Sequence, residues 1–309
     1  MDTKQKASLF AIASALVLAV SKFSVGMMSG SMAVTSSGLD SLLDVFMSAM
    51  NFAAIRKAEK PADDTHHYGH GKVEDMAAVV QSLVIVFTGG AIIYQAVHQY
   101  FAHQPVVYST WDLPVMFLSL VFSFFISHVL KRVGDKTESN ALKADALHYA
   151  SDLYSNSGAI VAIILTYYTG KSFFDLLFAV AIGCIILFSA LRILKGGLSG
   201  LMDTRIPEQM EQEIADVVDN MPYPFAGYHK LRTRSSGSKK YVDFHLLTCR
   251  KLTIEEAHGL ASQVEQEIKR RITTVDLTIH VEPCAYTCEL NELTCSVLKV
   301  RAQRRASIA

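Results

Sequence analysis

The sequence predicts a six-helix α-helical transmembrane domain followed by a small cytoplasmic α+β domain of ferredoxin-like type. Three observations carry the prediction. Hydrophobic residues make up 50% of the 309 residues, and they concentrate before residue 200, in blocks long enough for the roughly 20 apolar residues that cross a bilayer. After Leu201 the composition turns polar and the elements run α-β-β-α-β, the order of a small open-faced sandwich. Within the apolar blocks, two stretches place acidic and imidazole side chains four residues apart.

The spans are expected at 9–28, 32–55, 76–101, 113–133, 141–168 and 173–194. Their Gly and Ser residues suit helices that pack against helices in lipid. Basic residues set the orientation. Lys4 and Lys6 precede the first span, Arg56, Lys57, Lys60 and Lys72 follow the second, Lys131, Arg132 and Lys136 follow the fourth, and Arg192 and Lys195 close the sixth. The alternate loops offer only Lys171. This asymmetry predicts both termini in the cytoplasm. Lys22 lies inside the first span and is expected to snorkel to the outer interface. No removable signal peptide is expected, because the start of the chain has no small-residue cleavage pattern.

In the polar half, 207–220 reads as a helix with Pro at its start. Residues 228–234 and 239–248 read as strands joined by the SSGS turn, and 253–271 as an amphipathic helix. Thr253 and Glu256 form an expected capping box. The third strand, 274–282, alternates Val275, Leu277, Ile279 and Val281. The expected domains are 1–200, 203–283 and a tail, 284–309.

Three constellations carry chemistry. Asp40 and Asp44 on the second span, and His148 and Asp152 on the fifth, each stand at i, i+4. Such pairs share one helix face, about 6 Å apart along the axis. Charges inside a bilayer are costly unless they meet a polar partner. Packed together, the two helices bring three carboxylates and one imidazole to a point, a tetrahedral site for a divalent metal. The alternative is that these charges sit at helix ends in water. Asp145 shares the face of His148 nearer the cytoplasm and reads as lining the entrance rather than as a ligand.

The second constellation is PADDTHHYGHGKVED, where Asp63, His66 and His70 are spaced by three and four. Such a turn binds zinc readily, although a solvated polar turn explains it equally well. The third is His229, His245, His258, His280 and Glu282 in the polar domain. His280 and Glu282 point to one face of their strand, so a zinc site is expected there. Cys284, Cys288 and Cys295 match no standard metal knuckle and read as reduced thiols. The basic tail reads as a solvated end near anionic lipid.

Taken together, D-x3-D on the second span, H-x3-D on the fifth, DDTHHYGHGK and LRTRSSGSKKYVDFHL resemble the cation diffusion facilitator family, in its bacterial zinc and ferrous-iron efflux branch. The resemblance runs to about Pro283. It implies that Asp40, Asp44, His148 and Asp152 form the transport site, that Asp63, His66 and His70 form a loop site, and that His229, His245, His258, His280 and Glu282 form a binuclear cytoplasmic site. It also implies a homodimer in the inner membrane that exchanges a cytoplasmic dication for protons. Lys72 and Asp203 match positions of an inter-subunit charge interlock. Glu282 stands where relatives carry Asp. The expected cargo and structural ion is Zn²⁺, with Cd²⁺ or Fe²⁺ able to fit the same ligands and a transporter mainly for iron or manganese as the alternative; the absence of sulfur argues against Cu(I).

Other function classes fare worse. A formal net charge of +0 leaves no nucleic-acid footprint. An intramembrane metalloenzyme would want an H-E-x-x-H or a nucleophile beside a base, and the spans carry neither. A metal sensor or scaffold acting through the polar domain alone leaves the four intramembrane residues without a role.

Overall fold

The computed structural model describes residues 2–29, 32–102, 112–169, 173–221, 225–272 and 274–285. These divide into two compact units, Met1–Met202 and Asp203–Ala309.

The first unit holds six long helices, α1 (Thr3–Ser29), α2 (Met32–Ala58), α3 (Lys72–Phe101), α4 (Asp112–Thr137), α5 (Asn140–Thr169) and α6 (Phe173–Leu201). Five of them, all but α5, contain a stretch long and apolar enough to cross a membrane. The first half of α5 carries Lys143, Asp145, His148 and Asp152. The helices pair chiefly as α1 with α2, α4 with α5 and α3 with α6. The main core joins Ala7, Ala11 and Ala15 of α1 to Ala54 and Ile55 of α2, Ile126 and Leu130 of α4, and Leu142, Ala146 and Tyr149 of α5. Alanine along the seam lets backbones approach closely, which in lipid replaces the hydrophobic drive that water would supply. Phe87, Phe117 and Phe188 point outward, as lipid-facing side chains do.

Glycine sets the closest crossings. A Cβ on Gly26 would lie 2.6 Å from Thr35 Oγ1 and 2.8 Å from Thr35 N, and a Cβ on Gly38 would lie 3.0 Å from Phe23 N. Helices α1 and α2 therefore touch backbone to backbone. Two expectations change here. Lys22 does not snorkel. It is 8% exposed and donates to Ser41 Oγ at 2.9 Å, because the tight crossing turns it toward α2. Lys4 lies within α1, buried against Glu74 Oε2 at 3.4 Å.

The second unit orders α7 (Glu208–Asp219), β1 (Phe225–Ser236), β2 (Lys239–Thr248), α8 (Ile254–Arg271) and β3 (Val275–Pro283). The sheet order is β1-β2-β3, with β2 antiparallel to β1 and parallel to β3. Val242, Phe244 and Leu246 face a core closed by Ile214 and Val218 of α7 and Val264 and Ile268 of α8. The period of two sends Asp243, His245 and Leu247 to the opposite, open face. Val275, Leu277, Ile279 and Val281 pack against the core as their alternation demands. The capping box of Thr253 and Glu256 is formed in both directions. Cys184 and Cys284 are free thiols, whereas Cys249 is disulfide-bonded, a pairing that the reading of the cysteines did not anticipate. Cys288, Cys295 and the basic tail lie outside the described residues.

The α1–α2 crossing predicts a sharp asymmetry between two glycines. Gly26→Ala should destabilise the membrane unit by about 1–3 kcal/mol through overpacking. Gly90→Ala, where an added Cβ meets nothing within 4 Å, should be neutral or better, since Ala is the stronger helix former. Thermal melting of the two purified variants checks this; equal losses would contradict the close crossing.

Candidate metal centres

Helices α2 and α5 bring Asp44, His148 and Asp152 together, with one ligand atom from each within 4.8 Å of the others. His148 Nε2 lies 2.8 Å from Asp44 Oδ1. All three side chains are half-buried. Donors around a tetrahedral zinc stand about 3.3 Å apart for bonds of 2.0 Å, so shifts on the order of 1 Å would close the set. Asp40 lies one turn away on α2, is exposed, and stands outside this group.

A polar seam continues through the bundle beside the site. Asp145 is 0% exposed, so it does not line an open entrance. Its carboxylate accepts from Ser48 Oγ at 3.1 Å and from Gln81 Nε2 at 3.0 Å. Ser48 also meets Tyr149 Oη at 2.9 Å, and Asn51 donates to Gln81. A buried carboxylate costs several kcal/mol unless donors surround it, and α2 and α3 supply them. Sequence reasoning missed Ser48, Asn51 and Gln81. Only their placement as polar residues on apolar helices could have marked them.

The loop between α2 and α3 holds Asp63, His66 and His70, again with ligand atoms within 4.8 Å. Asp63 Oδ1 accepts from Thr65 Oγ1 at 2.8 Å, His66 N at 2.8 Å and Thr65 N at 3.0 Å. The Thr65 hydroxyl and the His66 amide hold this carboxyl well below the usual carboxylate range. Its second oxygen, Oδ2, lies 3.5 Å from His70 Nε2. The turn is closed by Gly69, whose φ of +78° suits a residue without Cβ. His70 is 4% exposed, and its Nδ1 has no hydrogen-bond partner among the described residues. An unpaired buried imidazole nitrogen is costly and is a ready metal donor.

On the open face of the sheet the strand register aligns three histidines in one row. His229 pairs with His245, and His245 with His280. Glu282 accepts from His229 Nε2 at 2.9 Å and from His245 Nδ1 at 2.6 Å. His229, His245 and Glu282 form the third group that could hold a metal. His280 adjoins it, with its ring 4.7 Å from that of His245 and Nε2 3.6 Å from Glu282 Oε1. His258 is exposed on α8 and stands outside the group. Helix α8 covers the other face of the sheet, so the sheet itself separates His258 from the row. Of the two interlock residues, Lys72 Nζ donates to Leu201 O at 3.2 Å, and Asp203 Oδ1 accepts from Arg234 Nη1 at 3.0 Å.

The bonds from His245 and His229 hold the Glu282 carboxyl below its ordinary range. A depressed carboxyl keeps its ionised contacts above its ordinary value, about 4.3, and loses them as pH falls through the lower folded value. Glu282 should therefore stay ionised from pH 7 to 5, and His245→Ala should move its titration upward. Infrared difference spectra against Glu282→Gln report this, and a protonated-carboxyl band at pH 5 in the parent would contradict it.

Comparison with known proteins agrees with both units. Residues 8–202 match the cation efflux transmembrane domain, and residues 206–284 match the cation efflux protein cytoplasmic domain. The cation-efflux pump FieF of Salmonella typhi is 35% identical over 280 residues, 91% of this chain and 93% of that protein. The pump of the same name from Escherichia coli K12 is 34% identical over 280 residues, with the same coverage. The metal-bound C-terminal domain of the CzcD transporter from Thermotoga maritima is 28% identical, with 25% of this chain and 91% of that one covered at a TM-score of 0.24. The chain belongs to the cation efflux family, the cation diffusion facilitators of the FieF type, and is a multi-pass membrane transporter rather than an enzyme.

Proposed function

We propose that this protein exports a divalent metal cation, zinc foremost, from the cytoplasm in exchange for protons, with cadmium or ferrous iron as alternative cargo. The observation that carries the reading is the convergence of Asp44, His148 and Asp152 from two packed helices of the membrane unit. An imidazole and carboxylates suit zinc, which has no geometric preference of its own. Asp40, one turn along α2, supplies the fourth ligand when the helices close. His148 Nε2 lies 2.8 Å from Asp44 Oδ1, close enough for the pair to hold a proton between them. A metal must take that position from the proton, because ligating groups bind in their deprotonated forms. One pair of atoms thus holds either cargo or proton, which is the requirement of an exchanger. Rocking of helix groups about such a site gives alternating access.

The reading extends to the other centres. Asp63, His66 and His70 hold a metal at the α2–α3 loop. His229, His245, His280 and Glu282 hold metal on the open sheet face, and His258 joins them through a second copy of the chain or a movement of α8. The protein works as a homodimer, with Lys72 and Asp203 in an inter-subunit charge interlock and both termini in the cytoplasm of an inner membrane.

Two measurements test this. Purified chain in vesicles should accumulate zinc against a proton gradient, and Asp152→Ala should reduce the rate at least 100-fold, on the order of 2.7 kcal/mol of lost stabilisation. Zinc flux at the parent rate in Asp152→Ala would overturn the site. Separately, zinc at about 100 times its Kd should stabilise the chain by roughly 2.7 kcal/mol per site, read as a rise in melting temperature. His245→Ala should lose a substantial part of that rise; an undiminished shift would remove the sheet face from the reading.

A further inference from the structure

Lys22 has no part in the reading so far, yet its ammonium is buried at the α1–α2 crossing, well inside α1. Two features bring it to the metal centre. Helices α1 and α2 cross at Gly26 and Gly38, where an added Cβ would meet the opposite backbone at 2.8 Å and 3.0 Å. Lys22 stands one turn before Gly26, and Ser41 stands three residues after Gly38 on the antiparallel partner. The crossing sets Nζ 2.9 Å from Ser41 Oγ, and Ser41 lies between Asp40 and Asp44 on α2. The ammonium interacts electrostatically with Asp152, Asp44 and Asp40, while its hydrogen bond goes to a neutral hydroxyl rather than to any of the three.

A lysine buried solely for packing would be replaced at no loss by an apolar residue, and burying its charge is expensive without compensation. Here carboxylates that a bound metal would also neutralise offset part of the burial cost. Three ionised carboxylates exceed the charge of one dication by one. A fixed ammonium removes that excess, so a dication leaves the loaded centre electrically balanced in a medium where unbalanced charge is costly. The same ammonium repels bound metal and weakens its hold, which favours release.

We propose that Lys22 is a tethered counter-cation of the α2–α5 centre, a specificity-determining residue that matches the centre to a divalent charge and keeps cargo binding weak enough for turnover. The inference rests on the transport reading above. It assigns Lys22 no ligand role, since an ammonium has no lone pair to give.

The test is zinc flux against zinc concentration in vesicles holding the full chain, for the parent, Lys22→Gln, Lys22→Met and Lys22→Arg. Lys22→Gln keeps a donor for Ser41 and loses the charge, Lys22→Met loses both, and Lys22→Arg keeps the charge. Both neutral variants should lower the zinc KM about tenfold and slow turnover by a similar factor, as expected when a nearby like charge is removed. Lys22→Arg should stay within about threefold of the parent on both counts. A packing role would lower the rate with KM unchanged or raised, and that result in the neutral variants overturns the inference. If only one neutral variant inserts in the membrane, the other decides; if neither inserts while Lys22→Arg does, Lys22 is a folding residue and the inference is wrong. Parent vesicles that move no zinc, cadmium or ferrous iron would overturn the transport reading itself, whereas normal parent flux with an unchanged KM in the neutral variants overturns only the role of Lys22.

Discussion

The architecture of the membrane unit depends on pairing polar groups that apolar surroundings would otherwise make intolerable. The contact between His148 Nε2 and Asp44 Oδ1, at 2.8 Å, ties α5 to α2. A charged group alone at that depth would cost several kcal/mol. Each helix therefore requires the other in a fixed register. The same demand explains the neighbours. Asp145 takes donors from α2 and α3, and Lys22 is met by Ser41 across the α1–α2 crossing. The alanine seam and the close-approach glycines supply the geometry that makes this possible. Small residues bring the backbones together, and only then can short polar side chains reach one another.

The loop and the sheet face solve a different problem with similar residues. Asp63 and Glu282 are accessible to water, so desolvation contributes little to them. Donors fix them instead: Thr65 and His66 around Asp63, and His245 and His229 around Glu282. Hydrogen bonds to the ionised form favour it. Each carboxylate is held both charged and oriented. In the loop the effect is directional, because Oδ1 takes the donors and leaves Oδ2 toward His70. Both groups keep their ligand atoms within 4.8 Å of one another. The α2–α5 group is three-membered in this arrangement, with a fourth candidate one turn away, and changes composition only if the helices move.

Much of this was legible in the chain itself. Five of the six expected spans and the polar domain follow from composition, because a bilayer admits few backbone solutions; α5, with its charged first half, does not. The i, i+4 spacing of Asp40 with Asp44 and of His148 with Asp152 placed each pair on one helix face. Period-two alternation in β3 separated its core side from the side of His280 and Glu282, and the capping box marked the start of α8. These are local properties, determined by 3.6 residues per turn, two residues per pleat and the orphan amides of a helix terminus.

What only tertiary structure decided is which faces meet. Spacing could not say that Asp44 rather than Asp40 reaches His148, since both lie on the same face of α2. It could not align His229, His245 and His280 in one row, because that register depends on β2 pairing antiparallel on one side and parallel on the other. Nor could it place His258 beyond the sheet, bury Asp145, or turn Lys22 inward. A lysine in a span snorkels when its helix faces lipid at that level. This one does not, because Gly26 and Gly38 let a second helix take the place of lipid. The chain determined the chemistry available on each element, and non-local packing decided which of it converges.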